Sequence, residues 1–411
     1  VIKTYPKDFW LLSTSMFCFM LSFNLILPEM NQFISQLGGA SYKGAIIFLF
    51  SIAAGISRPF AGKLSDLIGR KKTMNIGLII TIVVSLSYPF TRSLGLLFAL
   101  RFIHGLSAGF SPTSATALLT DLLPEKKRGA AMGIWGTFIS LGIGVGQALG
   151  SYIFSISNYN TLFLSAALFG CLAIVFSALI QETLTQKTRF TWSMLKLKGH
   201  DIIEKPVKPA AIIMFLTAIS SGMIFVLTPD VSAFLNISNK GYFFGIYVLT
   251  TIVMRLFFSS LSDRLGREKT LLIGCLFLIL SMSMLATAGS FWTYTLAAAV
   301  FGLATGVSSP TLFAWTADLS LPERRGTGSG TMFIALEGGI LFGSGLTFVF
   351  YKNTLVSAQF LFWLAAGFAI IACLALLNQL KNKSLNLNGV DSNTSEPGNA
   401  LSKSAVSATM Q

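Results

Sequence analysis

The ionisable side chains most able to do chemistry in this sequence lie inside long apolar runs. Glu337 stands about eleven residues into the run 327–350. At ~1.5 Å per helical residue that depth is roughly 16 Å, near the middle of a ~30 Å hydrocarbon layer. A charged side chain at such a depth costs about 2.5–3.5 kcal/mol on insertion scales, so a titrating or substrate-pairing role is the reading that explains it. Arg101 and His104 share the segment Arg101-Phe-Ile-His-Gly105 in another run. The arginine brings a fixed charge, and the histidine an imidazole whose ordinary titration range suits proton traffic. Asn24 and Gln147 are further polar candidates at depth. The plainer alternative for each is a buried polar group satisfied by its neighbours.

A second set sits at the ends of the runs. Gly62-Lys-Leu-Ser-Asp66-Leu-Ile-Gly69-Arg70-Lys-Lys returns, 197 positions later, around Asp263, Gly266 and Arg267. The same offset relates Asp121 to Asp318 and Arg128 to Arg325. A carboxylate at a helix end can accept from the free N–H groups at a neighbouring helix start, and an arginine can pair with nearby acids. Glycine lets the backbone turn tightly beside a packed helix. A third pattern, Gly142, Gly146 and Gly150 with Gly133 upstream, lines one helix face at spacing four and predicts close approach of another helix.

The elements that must hold these groups follow from composition. Of 411 residues, 53% are hydrophobic and 11% charged, which excludes a soluble enzyme. Hydropathy predicts an all-α polytopic membrane protein with twelve transmembrane helices, near 9–33, 43–64, 73–91, 94–120, 129–155, 160–182, 208–234, 241–262, 270–289, 292–317, 327–350 and 355–379. The first run lacks a small-residue cleavage pattern and reads as a retained helix. The offset divides the chain into an amino-terminal bundle 1–183, a polar linker 184–207, a carboxy-terminal bundle 208–383 and a Ser/Asn-rich tail 384–411 expected to be disordered.

Net charge is +14, but the Lys and Arg residues gather in the connectors. Placing both termini, the linker and the even-to-odd connectors on one side gives that side 23 of the 30, which predicts that side to be cytoplasmic. The basic balance therefore points to the lipid bilayer and not to nucleic acid. Cys18, Cys171, Cys275 and Cys373 have no CxxC or Cys/His spacing, so neither a metal site nor a disulfide framework is expected. Phosphate-binding loops and hydrolase motifs are absent. No enzyme activity or cofactor is expected, and transport would draw on an ion gradient or the solute's own.

The segment around Asp66 resembles the G-x-L-S-D-x-x-G-R-[KR] signature of the major facilitator superfamily, and the copy at Asp263 falls where that family keeps a second one. Arg101-Phe-Ile-His-Gly105 is similar to the R-x-x-Q-G motif of proton-coupled facilitators, with His104 in place of glutamine. The glycines from Gly133 to Gly150 resemble the antiporter motif of the twelve-helix drug and metabolite efflux branch, with Gln147 where proline is usual. The resemblance implies two six-helix parallel repeats around a cavity lined by helices 1, 4, 7 and 10. It implies that Gly62, Asp66, Gly69, Arg70, Asp121, Arg128 and their counterparts form an inner latch. Asn24, Arg101, His104, Gln147 and Glu337 are then candidates for coupling or for the substrate cavity.

The expected function is secondary transport of a small organic solute by alternating access, as proton-coupled efflux by a monomer in a bacterial cytoplasmic membrane. The departure at Gln147 keeps open a second reading, uptake of a polar metabolite such as a sugar or organic acid by symport or facilitated diffusion. A third, a solute receptor that does not transport, would call for a degenerate latch or an added signalling domain.

Overall fold

The computed structural model describes residues 5–39, 42–124, 127–237, 242–258, 260–352 and 354–393. Fifteen α-helices are present among them. In the amino-terminal half these are α1 (Lys7–Leu25), α2 (Leu27–Gln36), α3 (Lys43–Leu67), α4 (Arg70–Ser87), α5 (Leu94–Leu122), α6 (Arg128–Ile156) and α7 (Tyr159–Ala178). The linker carries the short α8 (Gly199–Ile202) between 3-10 turns. The second half holds α9 (Lys208–Phe234), α10 (Tyr242–Phe258), α11 (Leu261–Leu265), α12 (Arg267–Ala286), α13 (Phe291–Leu319), α14 (Arg325–Phe350) and α15 (Leu355–Asn393).

Ten segments among the described residues are long and apolar enough to cross a membrane. Two further rods complete the set of twelve. α3 is 25 residues long but carries Arg58, Lys63 and Asp66, and α10 is a 17-residue apolar helix continued by α11. Large apolar side chains such as Phe257, Trp292 and Val356 lie more than 70% exposed around the outside, a surface that only a hydrocarbon solvent makes favourable.

Local sequence explains the breaks. The first predicted helix is two: Pro28 at the start of α2 has no N–H to continue the ladder, so the chain restarts after Ile26. Gly69 and Gly266 have φ of 126° and 89°, values open to glycine, and each begins a helix (α4, α12) directly after a turn. Ser93, Asn158 and Ser290 cap α5, α7 and α13 through side-chain oxygens. α15 runs on to Asn393, into the stretch expected to be a disordered tail; once a helix is nucleated, each further residue adds a backbone hydrogen bond at low cost. Residues 394–411 lie outside the described residues.

Within the first half, α1 packs on α6 and α7, and α5 on α3 and α4. In the second half α9 packs on α14 and α15, and α13 on α10 and α12, the same arrangement repeated. The halves meet along α3 against α14 and along α6 against α10 and α13. Separate apolar cores sit inside each half, one around Leu25, Tyr88 and Phe163 and another around Phe243, Tyr294 and Phe362, while a third, around Phe19, Met74 and Trp135, extends to Ala314 and Ala317 of α13 across the interface.

Candidate functional site

The predicted carboxylate and arginine residues converge at the end of the molecule that carries the linker. Asp66, near the end of α3, accepts hydrogen bonds from Gly326 N (2.7 Å), Thr327 N (2.8 Å) and Thr327 Oγ1 (2.7 Å) at the start of α14 in the other half. Asp263 in α11 accepts from Gly129 N and Ala130 N at the start of α6, both at 2.9 Å. Positions 326 and 327 are the repeat partners of 129 and 130, so each half places its carboxylate on the other's helix start. The unpaired N–H groups and positive dipole end there favour an anion.

Arginines extend both contacts. Arg70 pairs with Asp66 and with Asp121 (3.2 Å), and Arg325 reaches Asp121 from the opposite half at 2.6 Å. In the related copy Arg267 pairs with Asp263 (2.6 Å) and Asp318 (2.8 Å), and Arg128 crosses to Asp318 at 2.7 Å. The geometry also accounts for the glycines. A Cβ at Gly62 would stand 2.9 Å from Gly326 O, and one at Gly326 2.5 Å from Gly62 O, so side chains at either position would push the halves apart. At Gly69 a Cβ would strike Glu182, whose carboxylate caps α4 through Arg70 N and Lys71 N.

The linker adds tethers that the sequence did not single out. Asp201 pairs with Lys63 of α3 at 2.8 Å, and the nearly buried Glu204 pairs with Arg324 beside α14. Burial opposes the charged form of Asp201, but the Lys63 ammonium and the Lys198 N–H outweigh it and hold the carboxyl below its ordinary range.

Between the halves lies a largely apolar cavity of about 350 Å³. Its wall includes Met20 of α1, Pro112 of α5, Phe225 of α9 and Phe301 of α13, the four helices expected. It also takes in Trp135 and Ser140 of α6, Tyr247 and Arg255 of α10, and Phe333 of α14, so its lining is broader than the resemblance implied. None of Asn24, Arg101, His104, Gln147 or Glu337, the candidates for coupling or for the substrate cavity, forms part of that wall among the described residues. Depth fixes a residue's height on its helix and leaves open which way it faces.

Each has a definite place. Glu337 pairs with Arg58 of α3 at 3.0 Å, across the halves, and Arg58 also reaches Thr113 Oγ1 (3.1 Å) and stacks on Phe333. Arg101 and His104 are fully buried inside the first half, where Tyr88 Oη lies 3.3 Å from His104 Nδ1 and the Arg101 guanidinium sits 5.0 Å from the Phe50 ring. Gln147 donates to Asn24 Oδ1 at 3.4 Å. Gly142, Gly146 and Gly150 lie against the α1 backbone, and a Cβ at Gly150 would fall 1.9 Å from Leu25 O. Gly133 accepts from Thr137 Oγ1 within α6. Gly339 and Gly343 of α14 meet Phe215 O and Ile219 O of α9 in the same way, a repeat of the stripe that the sequence reading passed over. Arg58 and Arg255 were also passed over as site residues. The signal was present, because the same offset of 197 positions relates Arg58 to Arg255 just ahead of the repeated segment.

The chain is 27% identical to Multidrug resistance protein 2 of Bacillus subtilis, covering 93% of this chain and 97% of that one. It is 27% identical to the multi-drug resistance efflux pump PmrA of Streptococcus pneumoniae, over 70% of this chain and 75% of that protein. The human organic anion transporter MFSD10 (TETRAN) superposes with a TM-score of 0.77 at 19% identity, covering 90% of this chain and all of that one. FucP, crystallised in its outward conformation, gives 0.70 at 17% identity, over 90% of this chain and 99% of that one. The family model described as Major Facilitator Superfamily matches residues 12–198 and 210–406. That match spans both repeats with their crossed carboxylates, and the chain belongs to the Major Facilitator Superfamily as a multi-pass secondary transporter.

Proposed function

We propose that this protein expels small, largely apolar organic molecules from the cytoplasm of a bacterial cell in exchange for protons, working as a monomer without a cofactor. The observation that carries this reading is the apolar cavity between the halves, closed off at the linker end by the two crossed sets of carboxylates and helix starts. The basic residues crowd that same end, which supports its assignment to the cytoplasmic face through the positive-inside rule. Relatives named for multidrug resistance and efflux support the direction and the kind of cargo.

The linker-end contacts then serve as the inner latch of an alternating-access cycle. Each half lends a carboxylate to the other's helix, so all of these bonds break together when the halves rock, and the equilibrium between two discrete states responds to small perturbations. Glu337 is the proposed coupling carboxylate. Protonating it would remove the charge opposite Arg58, and that pair spans the interface which must open. Arg101 and His104 form the second proposed proton-handling pair, within the first half. Asn24 and Gln147 would tie α1 to α6 as α1 moves with the cavity wall.

Purified protein in liposomes, given an inwardly directed or an opposite pH gradient and a panel of labelled organic solutes, tests this. The expected result is movement of an apolar organic probe against the proton flow, lost on adding a protonophore. Movement of sugars with the proton flow would instead establish the uptake reading.

A further inference from the structure

The repeat leaves Arg255 without the acid that its counterpart has. Its offset relates Arg58 to Arg255 and Glu337 to Ser140. In the first pair the guanidinium meets a carboxylate at 3.0 Å. In the second, Arg255 Nη1 meets only Ser140 Oγ (2.7 Å) and Gly136 O (2.5 Å), while Nη2 reaches Ser309 Oγ at 3.3 Å. Nε is buried with no partner, and no carboxylate pairs with Arg255 among the described residues. The residue is 8% exposed and is, among the described residues, the single charged side chain in the cavity wall.

A cation held away from water with neutral acceptors alone is costly, and the cost falls when an anion arrives. The guanidinium also offers a planar fork that fits a carboxylate through two parallel bonds. Around it the wall is aromatic and aliphatic, from Phe225, Phe301 and Leu278 to Trp135. We propose that Arg255 is the anion-recognition point of the transport cavity, and that the preferred ligand is an amphipathic organic anion with an apolar ring or chain and one carboxylate. The assignment rests on the cavity being the transport site, as argued above.

Equilibrium binding of three matched fluorescent probes tests it: 1-naphthoate, 1-naphthamide and 1-naphthylmethylamine, added to the full chain in nanodiscs of zwitterionic lipid. Wild type is expected to bind the carboxylate more tightly than the amide by on the order of tenfold to a hundredfold, the range of a hydrogen bond to a charged group. Arg255→Gln should erase that preference. Ser140→Glu should erase it too with the arginine in place, because it restores the pairing that Arg58 has with Glu337. Ser140→Gln, a neutral side chain of the same size, should keep it. Equal binding of acid and amide by wild type, tighter binding of the amine, or an undiminished preference in Ser140→Glu overturns the assignment while leaving the cavity as the binding site. If no probe binds, or binding survives Phe225→Trp and Phe301→Trp, which fill the cavity, the reading of the cavity fails and this assignment fails with it.

Discussion

Asp66→Asn separates the crossed-carboxylate account from a merely structural one. The native side chain is 8% exposed and receives three hydrogen bonds from the start of α14, besides its pair with Arg70. Asparagine keeps the size and one acceptor oxygen. Two of the bonds fall from roughly 1.5–3 kcal/mol each, typical with a charged acceptor, to about 0.5–1.5, or are replaced by an amide N–H facing another N–H. The attraction of a carboxylate to a helix start, about 0.3–1 kcal/mol, is also lost. The total is on the order of 3 kcal/mol, which moves a two-state equilibrium roughly a hundredfold. Arg70 keeps Asp121, so the half itself remains intact.

The assay is a cysteine at Met132, which is buried one turn inside α6 and lines the cavity, in a background lacking Cys18, Cys171, Cys275 and Cys373. A membrane-impermeant maleimide applied to the linker side reports how often that end opens. Labelling should speed up in Asp66→Asn by a factor approaching the hundredfold shift, and by a similar factor in Asp263→Asn. Because one rigid-body step breaks both contacts, the two effects should combine additively in free energy. A labelling rate within twofold of the parent in both variants refutes the reasoning.

Other outcomes follow from the same geometry. Glu337→Gln leaves Arg58 buried and unpaired, a loss of about 3–5 kcal/mol seen as a lower midpoint of thermal unfolding, and Arg58→Gln/Glu337→Gln should recover part of it. The same Glu337→Gln protein should exchange substrate by counterflow yet fail to respond to a pH gradient, and an unchanged response would remove Glu337 from coupling. Gly150→Val places a side chain on the α1 backbone and should cost about 1–3 kcal/mol or more of stability through overpacking, whereas Gly95→Val, at a site with open space, should be tolerated apart from its helix propensity; equal yields of folded protein would contradict the packing. Asp201 is held below its ordinary range in the folded protein, so its tether contributes above that range and is lost as pH falls through the lowered value. A nitroxide at the exposed Lys196 should accordingly gain mobility in acid, and Asp201→Asn should be mobile at every pH; a label insensitive to both would show that the linker is held by other contacts.

Much of this protein was legible in its sequence because two strong constraints act on it. Hydrocarbon demands about twenty apolar residues per span, so the helices announce themselves, and the internal repeat puts corresponding residues in register. Asp66, Asp263 and their arginines could be placed because carboxylates at helix ends have few partners other than helix starts. The facing of side chains within a span carries no such signal: lipid and protein interior are both apolar, so the helices lack the polar face that would orient them. Glu337 was therefore found by depth and its partner Arg58 was not, although the repeat offset that pairs Arg58 with Arg255 was on view. The extension of α15 past Lys383 escaped for a different reason, because Ser- and Asn-rich composition reports a lack of core and not the absence of an appended helical turn.

The central claim is that the two halves rock about the cavity and part at the linker end. Lys72 and Lys269 are exposed, related by the repeat, and stand at the starts of α4 and α12, one in each half. Spin labels at these two positions, with the distance between them measured by pulsed electron resonance in nanodiscs, report that motion directly. A single distance is expected in the parent at rest, and a second, longer population should grow with transported substrate and dominate in Asp66→Asn/Asp263→Asn. A single distance unchanged by substrate, by pH and by the double substitution would contradict it.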